Sequence, residues 1–265
     1  MESGSGGATK LTTGLSGLDG VLKGVLPGDN IVWQINEVAD YQALVTPYCE
    51  AARQAGRRLV YFRFASHPPL VPKGFGAEVH ELRPEDGFEH FIASIHSAIE
   101  AAGRGAFYVF DCLSELAVDW YSDQMLGNFF MLTCPYLYDL ETVTYFALLR
   151  NYHSQDATGP IADTTQVLLD VYRHEGKLFV YPIKVQHRYS PTMHMLHGWD
   201  EKDDFVPVAS SATTSQIRAV VKWTRTDAVR GPGLWEHAFQ HAGELVDGGG
   251  RRHHVGADQR ELFNQ

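Results

Sequence analysis

Hydrophobic and polar residues alternate along the chain in blocks whose lengths predict strands separated by helices. Apolar runs that fit buried strands occupy residues 30–35, 59–64, 106–110 and 142–149. Helical spacing of apolar residues fits residues 40–54, 86–102 and 120–131, with a further helical turn to residue 140 after an interruption at Cys134-Pro135. Strands separated by helices of this length indicate parallel βαβ units. The pattern therefore predicts an α/β fold with a mostly parallel central sheet.

The later part of the pattern predicts additions to this sheet. Residues 165–172 and 178–186 fit antiparallel strands joined at Glu175-Gly176, an added hairpin at one edge, and residues 77–82 fit a short strand. Beyond residue 209 the pattern weakens, with a polar linker at 210–215, a strand or helix at 217–223 and a helix at 234–245. We predict a flexible leader at 1–9, one domain at 10–208 and a partly disordered C-terminal extension at 209–265.

The segment after the first predicted strand carries the main functional signal. Residues 13–35 predict a helix, a turn and a buried strand, the usual approach to a phosphate-binding loop, and the chain continues as Asn36, Glu37, Val38, Ala39, Asp40, Tyr41 and Gln42. A phosphate loop needs glycines for its N–H groups, a lysine for the terminal phosphates and a hydroxyl for magnesium, and these residues supply none of them. Glu37 and Asp40 would repel a triphosphate. The segment either binds a cationic group or forms a first helical turn, where carboxylates suit the helix dipole.

Composition narrows the classes of function. The 265 residues have a formal net charge of -10, which argues against a sequence-independent nucleic-acid binder. No apolar run approaches the length of a membrane span, and residues 1–10 lack the apolar stretch of a secretory signal. The cysteines, Cys49, Cys112 and Cys134, lie in separate apolar stretches and fit buried thiols. We therefore predict a soluble, cytoplasmic protein.

Two further groups of residues leave alternatives open. His187, His194 and His197 lie near Arg188 in the sequence. The spacing of His194 and His197 could supply two metal ligands, but it fixes no third one, so we predict a solvated edge or a subunit contact and no metal site. Aromatic residues at Trp120-Tyr121 and at 136–138 fit the core, or an exposed patch that binds a protein partner.

The ordered set of motifs resembles the KaiC/RadA branch of the RecA-type ATPases. Residues 12–35 are similar to that family's opening phrase, and residues 106–110 with Asp111 and Ser114 are similar to its Walker B strand and the segment after it. Residues 161–169 resemble a later strand, and residues 184–188 fall where the family has a Lys-x-Arg element that reaches a neighbouring subunit's nucleotide. The resemblance covers residues 10–208 and implies a RecA-like three-layer α/β/α sandwich.

The chain departs from this family in the residues that hydrolysis requires. The loop lysine falls on Tyr41, the following hydroxyl on Gln42, and the carboxylates expected after the second strand on Ala65-Ser66. Of the residues that the family uses, Asp111 is retained, either as a magnesium ligand or as a cap of the next turn. Arg188 is retained as well and, together with His187, is a candidate subunit or ligand contact. Because phosphoryl transfer depends on positioning and charge neutralisation, we predict no catalytic residues and no ATP or magnesium cofactor.

A second resemblance concerns residues 28–34, Tyr48 and residues 56–67. They are similar to the N-terminal segment of some PEP/pyruvate-binding proteins of the pyruvate phosphate dikinase and PEP synthase type. The leading functional prediction is a catalytically inactive, KaiC-like pseudo-ATPase that acts as a binding or regulatory module through a protein partner or self-association. The alternatives are a nucleotide-binding protein with a non-standard pocket around Asp111 and Arg188, or an accessory module of a dikinase-type phosphotransferase system.

Overall fold

The structure is a computed structural model that describes residues 10–120, 122, 124–200, 202 and 204–228. The strands are β1 Asn30–Ile35, β2 Leu59–Arg63, β3 Glu78–Glu81, β4 Phe107–Cys112, β5 Val143–Leu149, β6 Val167–His174, β7 Lys177–Val185, β8 His197–Trp199 and β9 Phe205–Pro207. The helices are α1 Ser16–Leu22, α2 Val38–Gln54, α3 Phe88–Ala102, α4 Ser114–Asp119, α5 Gln124–Asp139, α6 Gln155–Thr164 and α7 Ser211–Ala228. The chain divides into compact units at residues 1–225 and 226–265, and the side chains discussed below belong to the first.

The described strands form a nine-stranded sheet in the order β3-β2-β4-β5-β1-β6-β7-β8-β9. The pairs from β3 through β6 are parallel, and the pairs from β6 through β9 are antiparallel. The α/β class and the mostly parallel pairing of the sheet are therefore confirmed. The sequence pattern misses β8 and β9, which extend the sheet beyond β7, so β6 and β7 do not form its edge.

The turn between β6 and β7 lies where the sequence predicts it. Glu175 and Gly176 have φ values of 49° and 76°, and the strands on either side pair in register up to His174 and Lys177. Positive φ at both central residues is the geometry that matches the twist of a two-residue hairpin, and glycine adopts it without steric cost.

Both faces of the central strands are buried. Ile31, Trp33 and Ile35 of β1 belong to one apolar cluster with residues of α1 and α2. Val32 belongs to a second cluster with residues of α3, α4, α5 and α6. Because successive side chains of a strand point to opposite faces, burial of both faces explains why the strand sequences are continuous apolar runs rather than alternating ones.

The predicted interruption at Cys134-Pro135 is wrong, because α5 includes both residues. The helix continues through Pro135 to Asp139. A proline inside a helix removes one backbone hydrogen bond and costs about 3 kcal/mol. Here Pro135 lies on the exposed side, while Phe130 and Leu137 on the opposite side are fully buried. Burial of that side offsets the cost of the proline.

Other boundaries also differ from the sequence prediction. Residues 161–164, which the family resemblance assigns to a strand, belong to α6, whose first turn is capped by the Ser154 hydroxyl, an acceptor from the N–H of Ala157 at 3.3 Å. The linker predicted at 210–215 is wrong, because α7 begins at Ser211. The helix predicted at 234–245 and Tyr121 lie outside the described residues. Within the described ranges, no helix combines the length and apolar character needed to span a membrane.

The segment before α1 is fixed by a close contact with α2. Gly14 has a φ of 82°, and a Cβ atom placed on it would lie 2.1 Å from the carbonyl oxygen of Pro47 in α2. The Asp19 carboxylate accepts hydrogen bonds from the Thr13 backbone N–H at 2.9 Å and the Thr13 hydroxyl at 2.8 Å. The glycine is therefore required twice, by its backbone conformation and by the nearness of α2.

Candidate functional site

The candidate site lies where the carboxyl ends of the parallel strands meet. Ligands of open α/β sheets bind outside these ends, near the strand at which the chain changes direction across the sheet. That strand is β1, since α2 follows it on one face and α6 follows the neighbouring β5 on the other. The candidate residues lie in the segments that directly follow β1, β2, β4 and β5.

The segment after β1 forms a helix start instead of a phosphate loop. Asn36 and Glu37 form a short bend, and α2 begins at Val38. Glu37 has extended backbone angles, and its exposed side chain makes no capping hydrogen bond. Gln42, at the position of the loop hydroxyl, is exposed. Of the alternatives left by the sequence, the first-turn interpretation describes the backbone here.

Asp40 does not face a ligand, as the cation-binding alternative from the sequence would require. Its side chain is fully buried, and its Oδ1 accepts from Nε of Arg173 at 2.8 Å and from Nη2 at 2.6 Å. Arg173 reaches it because β6 continues to His174, beyond the last residue that pairs with β1. The charge of Asp40 is therefore balanced inside the chain, and Glu37 is the exposed carboxylate of this segment.

Tyr41, at the position of the loop lysine, belongs to the core. The side chain is fully buried, and among the described residues its hydroxyl has no hydrogen-bond partner. Burial raises the pKa of the Tyr41 phenol well above its usual value, so the hydroxyl stays neutral. The residue that the resemblance aligns with the loop lysine is thus an aromatic side chain of α2 that packs in the core.

Replacing Tyr41 with phenylalanine is expected to raise the free energy of unfolding, because it removes a buried hydroxyl that has no partner. Such groups cost about 1–3 kcal/mol, and a gain of roughly 1 kcal/mol is expected. The measurement is urea unfolding followed by circular dichroism. The matched control is Tyr48→Phe, which should lower stability by about 1 kcal/mol because the Tyr48 hydroxyl donates to the Val143 carbonyl at 2.7 Å. Equal effects of the two changes would contradict the core placement of Tyr41.

Asp111 holds the segment after β2 against the end of β4. The carboxylate is fully buried and accepts from the Tyr61 hydroxyl, from Arg63 Nη1 at 2.6 Å, and from the N–H groups of Phe64 and Ala65 at 2.9 Å each. These hydrogen bonds fit a structural role better than a magnesium ligand, but the carboxylate caps the segment after β2 and not, as the sequence suggested, the turn that follows Asp111. A metal ion would have to displace an arginine and backbone donors.

Sequence reasoning missed the polar residues that surround Asp111. His67 Nε2 accepts from the Cys112 N–H at 3.3 Å and lies 3.7 Å from the Asp111 carboxylate. The Glu115 carboxylate accepts from the Ser66 N–H at 2.9 Å and from the Ser66 hydroxyl at 2.8 Å. The available signal was their position directly after β2 and β4, where functional side chains of this fold class collect.

Ser114, the other Walker B-like residue, joins the ends of β4 and β5. Its Oγ lies 2.7 Å from Nε2 of His153 and accepts from the Leu149 N–H at 2.8 Å. A serine–histidine pair at this distance has the geometry of a nucleophile and its base. Ser114 is only 1% exposed, however, so its oxygen connects two strand ends and does not face a substrate.

Arg150, which directly follows β5, is the second group that sequence reasoning missed. Its guanidinium carbon lies 3.8 Å from the centroid of the Tyr172 ring, Nη2 donates to the Asn36 side chain, and Nη1 lies 4.0 Å from an oxygen of Asp170. Burial lowers the pKa of Arg150 and raises the pKa of Asp170, because both charged groups are withdrawn from water. Asn36, at the first phosphate-loop position, is thus tied to the end of β5.

Arg188 lies near the amino end of β1, away from the carboxyl ends of the parallel strands. Its guanidinium forms a two-point pair with Asp29, which precedes β1, at 2.7 and 3.1 Å, and it donates to the Gly24 carbonyl at 2.9 Å. Because Asp111 is near the carboxyl end of the parallel strand β4, the predicted pocket around Asp111 and Arg188 is not formed. Nη1 and Nη2 of Arg188 therefore bind groups of the same chain.

The histidines near Arg188 do not form one solvated cluster. His187 and His194 are exposed, but His197 is 1% exposed and pairs within the sheet through β8. Burial lowers the pKa of His197 because the imidazolium form would lose its hydration. In the part of the chain that the structure describes, no group of three or more His, Cys, Asp or Glu side chains is arranged to hold a metal ion.

Comparisons with known proteins add no functional information. A scan of protein-family models and a search of curated proteins both found no match for this chain. The functional argument therefore depends on the carboxyl edge of the sheet, where Asp40, Asp111 and Arg150 are all engaged in contacts within the chain.

Proposed function

We propose that this chain is a RecA-type module that does not hydrolyse nucleotide and acts as a KaiC-like binding or regulatory protein through protein contacts. The observation that carries this proposal is the start of α2 at Val38, directly after β1, with Tyr41 of its first turn buried in the core. A phosphate cradle needs a glycine-rich loop that turns successive N–H groups toward the anion, and a cation beside it. The chain provides a helical turn, an exposed Glu37 and an aromatic ring.

The arrangement of the two apolar clusters supports the RecA-like part of the proposal. One cluster joins the sheet to α1 and α2, and the other joins the opposite face to α3, α4, α5 and α6. Helices on both faces of a largely parallel sheet are what a three-layer α/β/α sandwich requires. The antiparallel pair β6–β7 then extends the parallel part of the sheet.

The electrostatics of the carboxyl edge support the absence of turnover. Phosphoryl transfer is catalysed by placing cations around the transferred group and by positioning the attacking oxygen. Nη1 of Arg63 forms an ion pair with the Asp111 carboxylate at 2.6 Å, and Nη2 of Arg173 forms one with the Asp40 carboxylate at 2.6 Å. Drawing either arginine toward a phosphate would leave a buried carboxylate unpaired, which is costly.

The test is a calorimetric titration with ATP and with ADP, each with and without Mg²⁺, together with an assay of phosphate release. We expect no saturable heat at millimolar nucleotide and no phosphate release above the protein-free blank. Asp111→Asn is the matched variant, because turnover that persists in it comes from a contaminating ATPase. Turnover in the unmodified chain that disappears in Asp111→Asn would refute the proposal.

A further inference from the structure

The outer side of α5 carries an exposed apolar ridge, which we define as Met131, Leu132, Pro135 and Tyr138. Met131 is 49% exposed, Leu132 is 50% exposed and Tyr138 is 44% exposed. At 3.6 residues per turn, positions 131, 135 and 138 lie along one line of the helix and position 132 lies beside it. Since Pro135 is exposed as well, the apolar surface is continuous over two turns.

A groove joins this ridge to α3. It is a shallow depression open to solvent, with a volume of about 500 Å³, and is lined by Ala93, His96, Ser97 and Glu100 of α3 and by Tyr136 of α5. Tyr136 follows Leu132 by one helical turn, so the groove and the ridge form one surface. The His96 ring lies 5.4 Å from the Tyr136 ring, and its Nε2 is shielded from solvent without a hydrogen-bond partner among the described residues.

The three helices on this face carry side-chain charges of one sign. Helices α3, α5 and α6 contain no lysine or arginine, and their acidic residues are Glu89, Glu100, Asp139, Asp156 and Asp163. Glu100 lines the groove, and Asp139 directly follows Tyr138. Arg104, which follows α3, is paired with Glu141 at 2.7 Å. A second copy of this chain would bring acidic residues together, whereas a basic partner would be attracted.

We propose that the ridge and the groove bind a basic amphipathic helix of a partner protein. Such a helix inserts apolar side chains spaced at i, i+3 or i+4, and i+7 into a groove between helices. Its flanking lysine and arginine residues would meet Glu100 and Asp139. This inference rests on the proposed function, because it names the surface through which a binding module of this kind acts.

The probe for this surface is a fluorescein-labelled peptide of leucine and lysine with the apolar spacing of an amphipathic helix. Binding to the full chain is followed by fluorescence polarisation. Two comparison peptides test each part of the proposal: a scrambled peptide of the same composition, and a peptide with glutamate in place of every lysine. We expect the amphipathic leucine–lysine peptide to bind at least tenfold more tightly than either of them.

The matched variants remove apolar surface at different places. Met131→Gln with Leu132→Gln acts on the ridge, and we expect it to weaken binding of the leucine–lysine peptide at least tenfold. Ile183→Thr with Val206→Thr removes apolar side chains that are 41% and 56% exposed on β7 and β9, and we expect less than a twofold change. Glu100→Gln with Asp139→Asn tests the charges without altering the ridge and should weaken binding about threefold while reducing its dependence on salt.

Each other outcome overturns the inference. Equal binding of the scrambled peptide shows non-specific attraction, and equal binding of the glutamate peptide refutes the role of charge. Sedimentation equilibrium without peptide addresses a second copy as the occupant: a dimer that Met131→Gln with Leu132→Gln dissociates refutes the proposed partner. Failure of peptide binding refutes this inference alone, whereas nucleotide turnover refutes the proposed function.

Discussion

Replacing Asp111 with alanine is expected to lower the free energy of unfolding by about 3–5 kcal/mol, the cost of breaking a buried ion pair from one side. The change leaves the Arg63 guanidinium, 19% exposed, without its carboxylate. The N–H groups of Phe64 and Ala65 and the Tyr61 hydroxyl lose their acceptor at the same time. Because these donors belong to β2 and to the segment directly after it, the end of β2 would separate from the end of β4. Urea unfolding measured by circular dichroism gives the difference.

The control for this change is Glu78→Ala. Glu78 pairs with Arg58 at 2.6 Å, but both side chains are 43% exposed, so the pair contributes about 0.2–1 kcal/mol. A loss in Asp111→Ala that is no larger than in Glu78→Ala would contradict the cap interpretation. The carboxylate would then be free to hold a ligand, and the Walker B-like interpretation from the sequence would gain support.

Replacing Arg188 with alanine is the second change with a large expected effect, also about 3–5 kcal/mol of unfolding free energy. The Arg188 and Asp29 side chains are 5% and 4% exposed, so the remaining Asp29 carboxylate would be buried without its cation. Arg188→Lys should lose less, because an ammonium group keeps the charge but cannot form the two parallel hydrogen bonds. Chemical unfolding of the three proteins under the same conditions gives the order of stabilities.

The comparison variant is Arg104→Ala, whose pair with Glu141 is 61% and 57% exposed and should contribute about 0.2–1 kcal/mol. Sedimentation velocity of the same samples addresses the subunit contact that the sequence predicts for Arg188. A fall in assembly size with an unchanged free energy of unfolding would show that Arg188 works between subunits. A fall in stability at unchanged assembly size is the result that we expect.

The parallel part of the sheet was predictable because each of its central strands is buried on both faces. Such a strand appears as an uninterrupted apolar run, and β1, β4 and β5 each have a clear one. The helices between them have periodic apolar residues because only one side of each is buried. The hairpin turn was predictable for a different reason, since Gly176 marks a backbone conformation that other residues avoid.

The missed elements have weak local patterns. Helix α6 contains Gly159 and Pro160, and its fit against α5 depends on small side chains: a Cβ atom on Gly127 would lie 3.2 Å from the Ala157 carbonyl. Strands β8 and β9 have three residues each, too few for an alternating pattern to emerge. In each case, tertiary contacts outweigh the local preference of the sequence.

The candidate site was predictable only where it follows from position along the chain. The absence of a phosphate-binding sequence could be predicted because the residue types that it requires would lie within positions 36–42. The pairing of Asp40 with Arg173 could not, because 133 residues separate the two and their contact depends on how far β6 extends past β1. The same holds for Arg150 and Asp170, which meet across the end of β1.

Gly14 is required by the packing of the opening segment against α2. Any side chain at this position would collide with the carbonyl of Pro47, so selection for folding alone keeps the glycine. The glycine is therefore explained by folding, whether or not the residues at positions 36–42 bind a ligand. A glycine at this position in another sequence would indicate the same close approach to α2, and by itself it would say nothing of activity.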